Sequence, residues 1–333
     1  MNIQVAITID TEEDNWGQFN EKAPSIENIY QIPRLQSLFD RFGVKPTYLL
    51  TAPVIRDKQS CSIFKKINND GRCELGLHCH PWNTPPIEEK ISDKNSMLCN
   101  LNSSLINKKL RYLFTLFEDC FDSLPNSFRA GRWAINQNVV QSLTNLGIHV
   151  DTSVSPLVDW SKYYGPDHFF AKNEAFFYID RNYHFSDAPQ DILEIPPTIG
   201  FLQGTSSILS LLRYLFAKKA FTKFHLVGLL EKFNLLNLRW LSPELSNAED
   251  IIKLAQTMIR ANRPVLNFTF HSTTLLPGMS PFVKNESDLR HFYASIESFL
   301  SYAVEEKLKF STLSEISNVL ARQDAFTNNA EPN

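Results

Sequence analysis

Four carboxylates crowd into five positions near the start of the chain, in the run D-T-E-E-D at residues 10–14. The run follows an apolar stretch that predicts a β-strand. Side chains alternate along extended backbone, so Asp10 and Glu12 would point to the same side. One carboxylate could then act as a base while its neighbour binds a metal ion, and a bound cation would offset the repulsion between like charges. The alternative is a solvated acidic turn that caps the next helix.

Two histidines separated by one residue follow a second apolar stretch, in G-L-H-C-H-P-W at residues 76–82. In extended backbone His78 and His80 face one way and Cys79 faces the other. Neutral imidazole is a common ligand of zinc and similar ions. The alternative is a pair of ordinary core or surface histidines. No Lys or Arg adjoins Cys79 in the sequence, so a buried and inert thiol is expected there.

Three later polar residues also lie at or near the ends of predicted strands. Arg129, in F-R-A-G-R-W, could pair with a carboxylate and keep it ionised, or could be a surface arginine. Asp151, in D-T-S-V-S-P, could serve the same site or cap a turn. His271, in F-T-F-H-S, could transfer a proton near neutral pH or supply a third metal ligand.

The elements that must position these residues alternate between strand-like and helix-like patterns. Strands are predicted at 3–9, 46–50, 73–78, 127–129, 148–153, 192–195 and 265–270, and helices at 26–41, 63–69, 103–120, 137–146, 248–262 and 288–305. About seven strand–helix units predict an α/β fold, a distorted (β/α)7-type barrel with a helical insertion. In such barrels the residues that do chemistry gather after the carboxyl ends of the strands.

We expect a single domain over 1–322, followed by a frayed polar tail at 323–333. The segment 159–189 is aromatic and irregular, which favours a loop or hairpin excursion. A helical insertion at about 205–240 carries a basic patch at Lys218, Lys219 and Lys223. It could pack on the barrel, close over it as a lid, form a dimer face or lie on a membrane surface.

Composition excludes several classes of function. The chain has 333 residues, 33 basic against 36 acidic, and a net charge of −3, so a nucleic-acid partner is not expected. It has 11 glycines and neither of the common glycine-rich nucleotide loops. The five cysteines show no C-x-x-C spacing, which favours a reducing compartment over a disulfide framework. No leader or membrane-spanning stretch is evident, so the prediction is cytoplasmic.

Taken in order, these clusters resemble the polysaccharide deacetylase family, also called carbohydrate esterase family four. The motifs that carry the resemblance span most of the chain: D-T-E-E-D, H-x-H-P-W, R-A-G-R-W, the aspartate motif at 151–156, and F-H-S followed by P-G and P-F. This version is most similar to a cytoplasmic branch encoded with bacterial surface-polysaccharide genes.

The resemblance implies metal-dependent removal of an N-acetyl group from a sugar, with a divalent ion, often zinc. Carried over by position, Asp10 would be the base and His271 the acid. Arg129 would orient Asp10, and Asp151 would tune His271. His78 would be a metal ligand.

Two positions depart from the family's common pattern. Thr11 stands where a second aspartate is common, so Glu12 or Asp14 would supply the metal carboxylate. Trp82 stands four residues past His78, where a second histidine is common, so His80 would supply the other imidazole.

Three residues beside the motifs, Trp82, Trp133 and Arg132, are expected to contact the sugar, although either tryptophan could be ordinary core. The expected partner is a saccharide, with a link to a nucleotide or lipid and peripheral membrane contact as options. A catalytically silent carbohydrate-binding relative and a hydrolase of another non-peptide amide are the alternative functions.

Overall fold

A largely parallel β-sheet holds the residues that the sequence singles out. The computed structural model describes residues 3–14, 16–19, 24–217 and 226–328. Its strands are β1 (Gln4–Thr11), β2 (Thr47–Leu50), β3 (Glu74–Cys79), β4 (Ser127–Ala130), β5 (Val150–Asp151), β6 (Phe177–Ile179), β7 (Phe185–Ser186), β8 (Ile192–Glu194), β9 (Ile199–Phe201), β10 (Leu238–Trp240), β11 (Val265–His271) and β12 (Lys309–Phe310).

Among the described residues the main sheet has the order β11-β1-β2-β3-β4-β5-β8-β6-β7, and β12 also pairs with β1. The strands from β11 to β8 run parallel, while β6 pairs antiparallel with both β8 and β7. All eight residues of β1 are buried, as expected for a parallel strand covered on both faces. The predicted mixed α/β fold with a mainly parallel sheet is therefore confirmed.

The strand register brings the polar motifs together at one edge of the sheet. Asp10 in β1 stands opposite His271 in β11, and His78 in β3 stands opposite Arg129 in β4. Because parallel strands present their carboxyl ends at the same edge, residues far apart in sequence become neighbours there.

The helices pack against this sheet. They are α1 (Ile32–Arg41), α2 (Ala52–Arg56), α3 (Lys58–Asn69), α4 (Ser103–Phe121), α5 (Gln137–Leu146), α6 (Ser207–Ala217), α7 (Leu226–Lys232), α8 (Ala248–Arg260), α9 (Glu286–Glu305) and α10 (Leu313–Asn328). Asparagine side chains accept backbone hydrogen bonds at the amino ends of α4, α5, α8 and α9, which explains where these helices begin. Phe268 of β11 stacks on Phe299 of α9 at 4.7 Å between ring centroids, so α9 covers the sheet beside the site.

Several boundaries differ from the sequence-based expectations. The predicted helix at 26–41 divides into a 3₁₀ turn, Glu27–Gln31, and α1, and the short helix α2 was not predicted. The predicted strand at 148–153 is only Val150–Asp151 long, because the following residues turn toward the site. Helix α10 continues through Asn328, into the expected tail; residues 329–333 lie outside the described residues.

A closed barrel is not shown. The path of paired strands has two separate ends, at β11 and β7, in the part of the chain that the structure describes. Individual hydrogen bonds cross the gap between β11 and the chain after β8. Thr198 donates its N–H to the Asn267 carbonyl at 3.0 Å, and the Asn267 side chain donates to the Ile195 carbonyl at 3.0 Å. These bonds link β11 to the segment after β8 without forming a strand ladder between them.

The described part of the expected insertion contains two helices, α6 and α7, and lies between the antiparallel strands β9 and β10. The predicted basic patch of Lys218, Lys219 and Lys223 lies outside the described residues. None of the described helices is long and apolar enough to cross a bilayer.

The expectation that the cysteines stay unpaired was wrong for two of them. Cys61 in α3 and Cys120 in α4 form a disulfide, although 59 positions separate them. The pairing depends on the packing of the two helices, which local cysteine spacing does not report. It removes the cysteine argument for a reducing compartment.

Candidate metal and catalytic site

Asp10 and Arg129 form a buried ion pair at the edge of the sheet. Arg129 is fully buried, and its Nη1 lies 2.5 Å from Asp10 Oδ1. The remaining guanidinium donors reach hydroxyl oxygens of Thr269, Thr8 and Thr152 at 2.7 to 2.9 Å, and Nε donates to the Thr152 carbonyl. With its donors occupied in this way, the guanidinium is fixed, and it fixes one oxygen of Asp10 in turn.

The second oxygen of Asp10 faces two imidazoles. Oδ2 lies 3.4 Å from His271 Nε2 and 3.9 Å from His78 Nε2. Burial alone would raise the pKa of Asp10, but Arg129, His78 and His271 outweigh it and hold the pKa below its ordinary value. Asp10 is therefore an ionised carboxylate with one oxygen anchored and the other available.

Glu12, His78 and His80 form a buried group with the composition of a metal site. One ligand atom from each lies within 4.8 Å of the others. Glu12 Oε2 is 3.2 Å from His80 Nε2 and 3.7 Å from His78 Nε2. Two imidazole nitrogens and one carboxylate oxygen, with room for a further ligand, are typical of a catalytic zinc site.

The opposite ring nitrogens of both histidines are held by acceptors. His78 Nδ1 lies 2.9 Å from the Arg129 carbonyl, and His80 Nδ1 lies 3.0 Å from Glu13 Oε1. Since a carbonyl only accepts, Nδ1 of His78 carries a proton, and Nε2 is the ring nitrogen that faces Glu12 and Asp10. This arrangement, in which one ring nitrogen is held so that the other can bind a metal, is characteristic of metal-ligating histidines and supports the fit of an ion.

Glu13 is the support for His80 rather than a ligand. Its Oε1 also accepts hydrogen bonds from the Trp82 indole at 3.1 Å and the Asn83 amide at 2.6 Å, and its Oε2 accepts from the Thr51 hydroxyl at 3.3 Å. Trp82 stacks on the His80 ring, with centroids 4.2 Å apart. His80 is thus fixed in orientation from both its edge and its face.

The charges of this group are strongly coupled. Burial would raise the pKa of Glu12, but hydrogen bonds with His78 and His80 hold it well below its ordinary range. Burial would lower the pKa of His80, but the Glu13 carboxylate and hydrogen bonds to Glu12 and Glu13 raise it to about 10. Without a cation, His80 therefore carries a positive charge between the Glu12 and Glu13 carboxylates, which offsets part of their negative charge.

Gly131 permits the close approach of the two loops. A Cβ at this position would lie 2.2 Å from Cδ2 of His80 and 2.7 Å from the Cys79 carbonyl oxygen, closer than real contacts allow. Any larger residue in R-A-G-R-W would therefore displace His80. Cys79 itself is buried, and burial raises the pKa of its thiol to about 12, in agreement with the expected inert thiol.

Asp14, the other carboxylate considered for the metal, has a different task. It accepts hydrogen bonds from the backbone N–H groups of Glu27 and Asn28 at 2.7 and 3.0 Å, and from the Asn28 side chain at 2.6 Å. These contacts tie the acidic run to the 3₁₀ turn before α1. The structure therefore gathers Glu12, and not Asp14, with the two histidines.

His271 is held by Glu244 and not by the predicted partner, Asp151. His271 Nδ1 lies 2.8 Å from Glu244 Oε2, while its backbone N–H donates to Glu244 Oε1 at 3.0 Å. Burial would lower the pKa of His271, but the charge and hydrogen bond of Glu244, with smaller effects from Glu12 and Asp10, raise it to about 9. His271 is thus an imidazolium near neutral pH, with Nε2 directed toward Asp10.

Asp151 instead belongs to a buried network behind β4. It accepts from both the hydroxyl and the N–H of Ser153, and the Ser153 hydroxyl accepts from Ala130 N at 2.8 Å. Its neighbour Glu194 accepts from Val154 N, and burial, with the charge of Asp151, raises the pKa of Glu194 well above its ordinary value. The expectation that Asp151 tunes His271 is not met by the described contacts, because Glu244 holds His271 while Asp151 holds Ser153 and, through it, the backbone at the end of β4.

An open cavity of about 400 Å³ gives access to this group. Asp10, Glu12, His78, His80 and His271 line it together with many aromatic side chains. The aromatic lining consists of Trp16, Phe19, Trp82, Trp133, Trp160 and Tyr163. Aromatic faces beside a few fixed polar groups suit a ligand with apolar and hydroxylated surfaces.

The three residues expected to contact a sugar all line this cavity. Trp82 and Trp133 are nevertheless mostly buried, 6% and 9% exposed, and each packs on a site residue: Trp82 on His80, and Trp133 under the Arg129 guanidinium at 4.9 Å. Arg132 is partly exposed, with a left-handed backbone conformation at φ 57°. The tryptophans thus serve as both walls and supports.

Sequence reasoning missed several residues of this site, among them Glu13 as a support, Glu244, Trp16 and Trp160. Glu13 lies within the acidic run, but nothing local separates it from Glu12. Trp16 contacts the His271 ring edge-on at 4.1 Å, and Trp160 comes from the irregular aromatic segment. Glu244 follows the insertion with no motif around it, so only the fold reveals its contact with His271.

Solved structures of similar fold include a candidate polysaccharide deacetylase from Mycobacterium smegmatis. It is 14% identical, with 96% of this chain and 91% of that chain covered and a TM-score of 0.53. A GH57-type branching enzyme from Pyrococcus horikoshii is 10% identical, with 96% and 70% covered and a TM-score of 0.52. A third is the Xyl-CE4 domain of a multidomain xylanase from the hindgut metagenome of Trinervitermes trinervoides, 10% identical, with 96% and 92% covered and a TM-score of 0.45.

At these identities the likeness shows the fold alone. No family model matches the chain, and no curated protein matches it in sequence. The first two structures are named for different reactions, so the fold does not choose between them, and function must be argued from the site.

Proposed function

We propose that this protein is a metal-dependent hydrolase that removes an N-acetyl group from a sugar during synthesis of a surface polysaccharide or glycolipid. One observation carries the proposal. A Glu–His–His group, an arginine-anchored aspartate and a glutamate-anchored histidine converge on one cavity with an aromatic lining. These are the parts that hydrolysis of an unactivated amide requires: a cation site, a base and an acid.

Glu12, His78 and His80 would hold the divalent ion. We propose zinc, because two imidazoles and one carboxylate are a common catalytic zinc set. When bound, such an ion lowers the pKa of a water molecule and polarises the amide carbonyl. Glu13 and the Arg129 carbonyl keep the two rings oriented for this role.

Asp10 would act as the general base. Arg129 holds its Oδ1, so Oδ2 is the oxygen free to accept a proton from the attacking water. The low pKa of Asp10 keeps it ionised in the resting state. Water adds to the acetyl carbonyl carbon as Asp10 takes its proton, and no group is oxidised or reduced.

His271 would act as the general acid. Its pKa of about 9 keeps Nε2 protonated at neutral pH, and Glu244 fixes the ring through Nδ1. Transfer of the Nε2 proton to the departing nitrogen allows the C–N bond to break, which gives acetate and the free amino sugar. Nε2 of the acid, His271, lies 3.4 Å from Oδ2 of the base, Asp10.

The test is metal content and acetate release in purified protein. We expect one divalent ion per chain and acetate release from N-acetylated sugars. Asp10→Asn should keep the ion but lose about 10²–10⁴-fold in rate, because only the base is removed. Asp119→Asn, a change of the same type on the exposed face of α4, should behave as the wild type.

Two results would contradict the proposal. One is a protein that binds no ion under any supplied metal. The other is acetate release that Asp10→Asn leaves unchanged. Saccharide binding that survives both chelation and Asp10→Asn, without any turnover, would instead support the silent carbohydrate-binding alternative.

A further inference from the structure

Helix α6 exposes a continuous apolar stripe. Ile208, Leu211, Leu212 and Leu215 follow the i, i+3, i+4, i+7 spacing that places side chains on one helix face, and they are 64%, 52%, 37% and 38% exposed. Single exposed leucines are ordinary on protein surfaces, but four on one face form a patch. The described part of the chain leaves this patch open.

The opposite side of α6 is the side that packs. Leu209 contacts the small cluster formed by Leu157, Phe201 and Leu236, and the Tyr214 ring lies 4.8 Å from Phe170. The helix is therefore anchored to the protein without using its apolar stripe. The stripe is not a core face that the fold requires.

The segment that contains this helix is basic, unlike the rest of the chain. Residues 205–238 hold five basic side chains and one acidic, a net of +4 in a chain whose total is −3. Three of the five, Lys218, Lys219 and Lys223, lie in the sequence between α6 and α7, outside the described residues. The only acidic residue, Glu231, pairs with Arg213 at 2.9 Å.

The same segment adjoins the candidate active site. It runs from β9 to β10, which form a separate two-stranded sheet. The last residue of β10, Trp240, contacts Trp133 of the cavity, with ring centroids 5.4 Å apart. Four residues later, Glu244 holds His271. The segment is thus connected in sequence to residues of the active site. Its carboxyl end leads directly to Glu244, the partner of the proposed catalytic acid.

We propose that α6 docks on an anionic lipid membrane through its apolar stripe. An apolar stripe next to lysines is the pattern of helices that lie in the membrane interface, where leucines enter the acyl boundary and lysines meet anionic headgroups. A second copy of the chain is a poorer occupant, because a symmetric dimer would bring two segments of charge +4 together. It follows, resting on the proposed function, that the sugar substrate is linked to a lipid.

Co-sedimentation of the full chain with lipid vesicles tests this docking. Vesicles of phosphatidylcholine with roughly one third phosphatidylglycerol should bind the protein at least about tenfold more tightly than phosphatidylcholine alone, and added salt should weaken the binding. The variant Leu211→Ser/Leu212→Ser/Leu215→Ser should lose at least about tenfold in binding. Its matched control is Leu124→Ser/Val304→Ser, at exposed apolar positions elsewhere, which should bind as the wild type.

A variant without the three lysines measures the electrostatic contribution to vesicle binding separately from the apolar contribution. Lys218→Gln/Lys219→Gln/Lys223→Gln should lose binding to anionic vesicles, whereas Lys45→Gln/Lys108→Gln/Lys284→Gln, at exposed lysines elsewhere, should not. Circular dichroism confirms that each variant is folded. Equal vesicle binding by the wild type and by both the leucine and the lysine variants would overturn the docking proposal. So would a dimer in sedimentation equilibrium that the leucine variant abolishes, because a second copy would then cover the stripe.

Vesicle binding needs no turnover, so its result is independent of the deacetylase test. Docking without acetate release would leave this inference standing and remove only the lipid-linked substrate. Acetate release from soluble sugars without vesicle binding would remove this inference and leave the proposed function.

Discussion

The two oxygens of the Asp10 carboxylate have different surroundings. Arg129 holds one oxygen, and His271 and His78 face the other. The ion pair is fully buried, which favours a fixed geometry over a gain in stability, since desolvation offsets much of the attraction. The orientation of the site residues depends on the side chains that hold them from behind, above all Glu13 for His80 and Glu244 for His271.

Replacement of Glu244 by glutamine should move the basic limb of the rate profile. Glu244 raises the pKa of His271 to about 9, so the acid form is lost as pH rises through about 9. An amide keeps the size of the side chain but removes its charge, so the pKa of His271 should fall and activity should be lost at lower pH. The measurement is kcat/KM against pH, with Glu297→Gln, at an exposed ion pair, as control.

An unchanged basic limb in Glu244→Gln would show that Glu244 does not set the protonation of His271. A uniform loss of rate at every pH, without a shift of the limb, would indicate a structural role only.

Metal binding should release a proton from His80. In the metal-free protein its pKa is about 10, so the ring is protonated at neutral pH, whereas a ligand nitrogen must be free. Affinity for the ion should therefore fall as pH decreases, by about tenfold per unit while one proton competes. Calorimetry in buffers of different ionisation enthalpy counts the protons, and a count of zero at neutral pH would contradict the assignment.

At the scale of elements, the loop after β3 is secured by a lysine of α4. Lys109 is fully buried, and its Nζ donates to the carbonyls of Pro81, Thr84 and Pro86 at 2.7 to 2.8 Å and pairs with Glu89 at 2.9 Å. This one ammonium group holds the chain that carries His80 and Trp82. Few groups besides a lysine could meet several carbonyls and a carboxylate at one point.

Lys109→Met should therefore destabilise the protein by about 3–5 kcal/mol, because it leaves a buried carboxylate and several carbonyls without their donor. It should also weaken metal binding, since His80 lies on the same loop. Lys108→Met, one position away and exposed, should change the free energy of unfolding by less than about 0.5 kcal/mol. Urea denaturation compares the two variants, and equal free energies of unfolding would contradict this role of Lys109.

At the scale of the whole molecule, a disulfide and an uneven charge distribution stand out. Cys61 and Cys120 join α3 to α4 across 59 residues of sequence, and the basic insertion contrasts with an otherwise acidic chain. The first constrains the unfolded chain, and the second is the charge pattern on which the proposed docking to anionic membranes rests. Neither feature belongs to the candidate active site.

Loss of the disulfide should cost about 2–4 kcal/mol of the free energy of unfolding. Cys61→Ser/Cys120→Ser should unfold at lower urea than the wild type, and reductant should lower the wild type to the same value without further effect on the variant. Titration of the unreduced, denatured wild type should count three thiols, those of Cys73, Cys79 and Cys99. A count of five would contradict the disulfide.

The sequence by itself was sufficient for the mainly parallel α/β fold and for most of the residue types at the site. A pattern of apolar residues predicts where a strand lies. A polar residue at the carboxyl end of that strand is therefore predicted to lie at the edge of the sheet. Because parallel strands share an edge, Asp10, His78, Arg129 and His271 could be expected to meet before any contact was known.

Only the tertiary structure decided which partner each residue takes. Glu244 reaches His271 from beyond the insertion, Asp151 turns away to Ser153, and Glu12 rather than Asp14 joins the two histidines. Cys61 meets Cys120 in the same way, through the packing of two helices. These pairings depend on contacts between loops and helices that are far apart in the sequence. The local residue pattern that predicts a strand or a helix carries no information about such contacts.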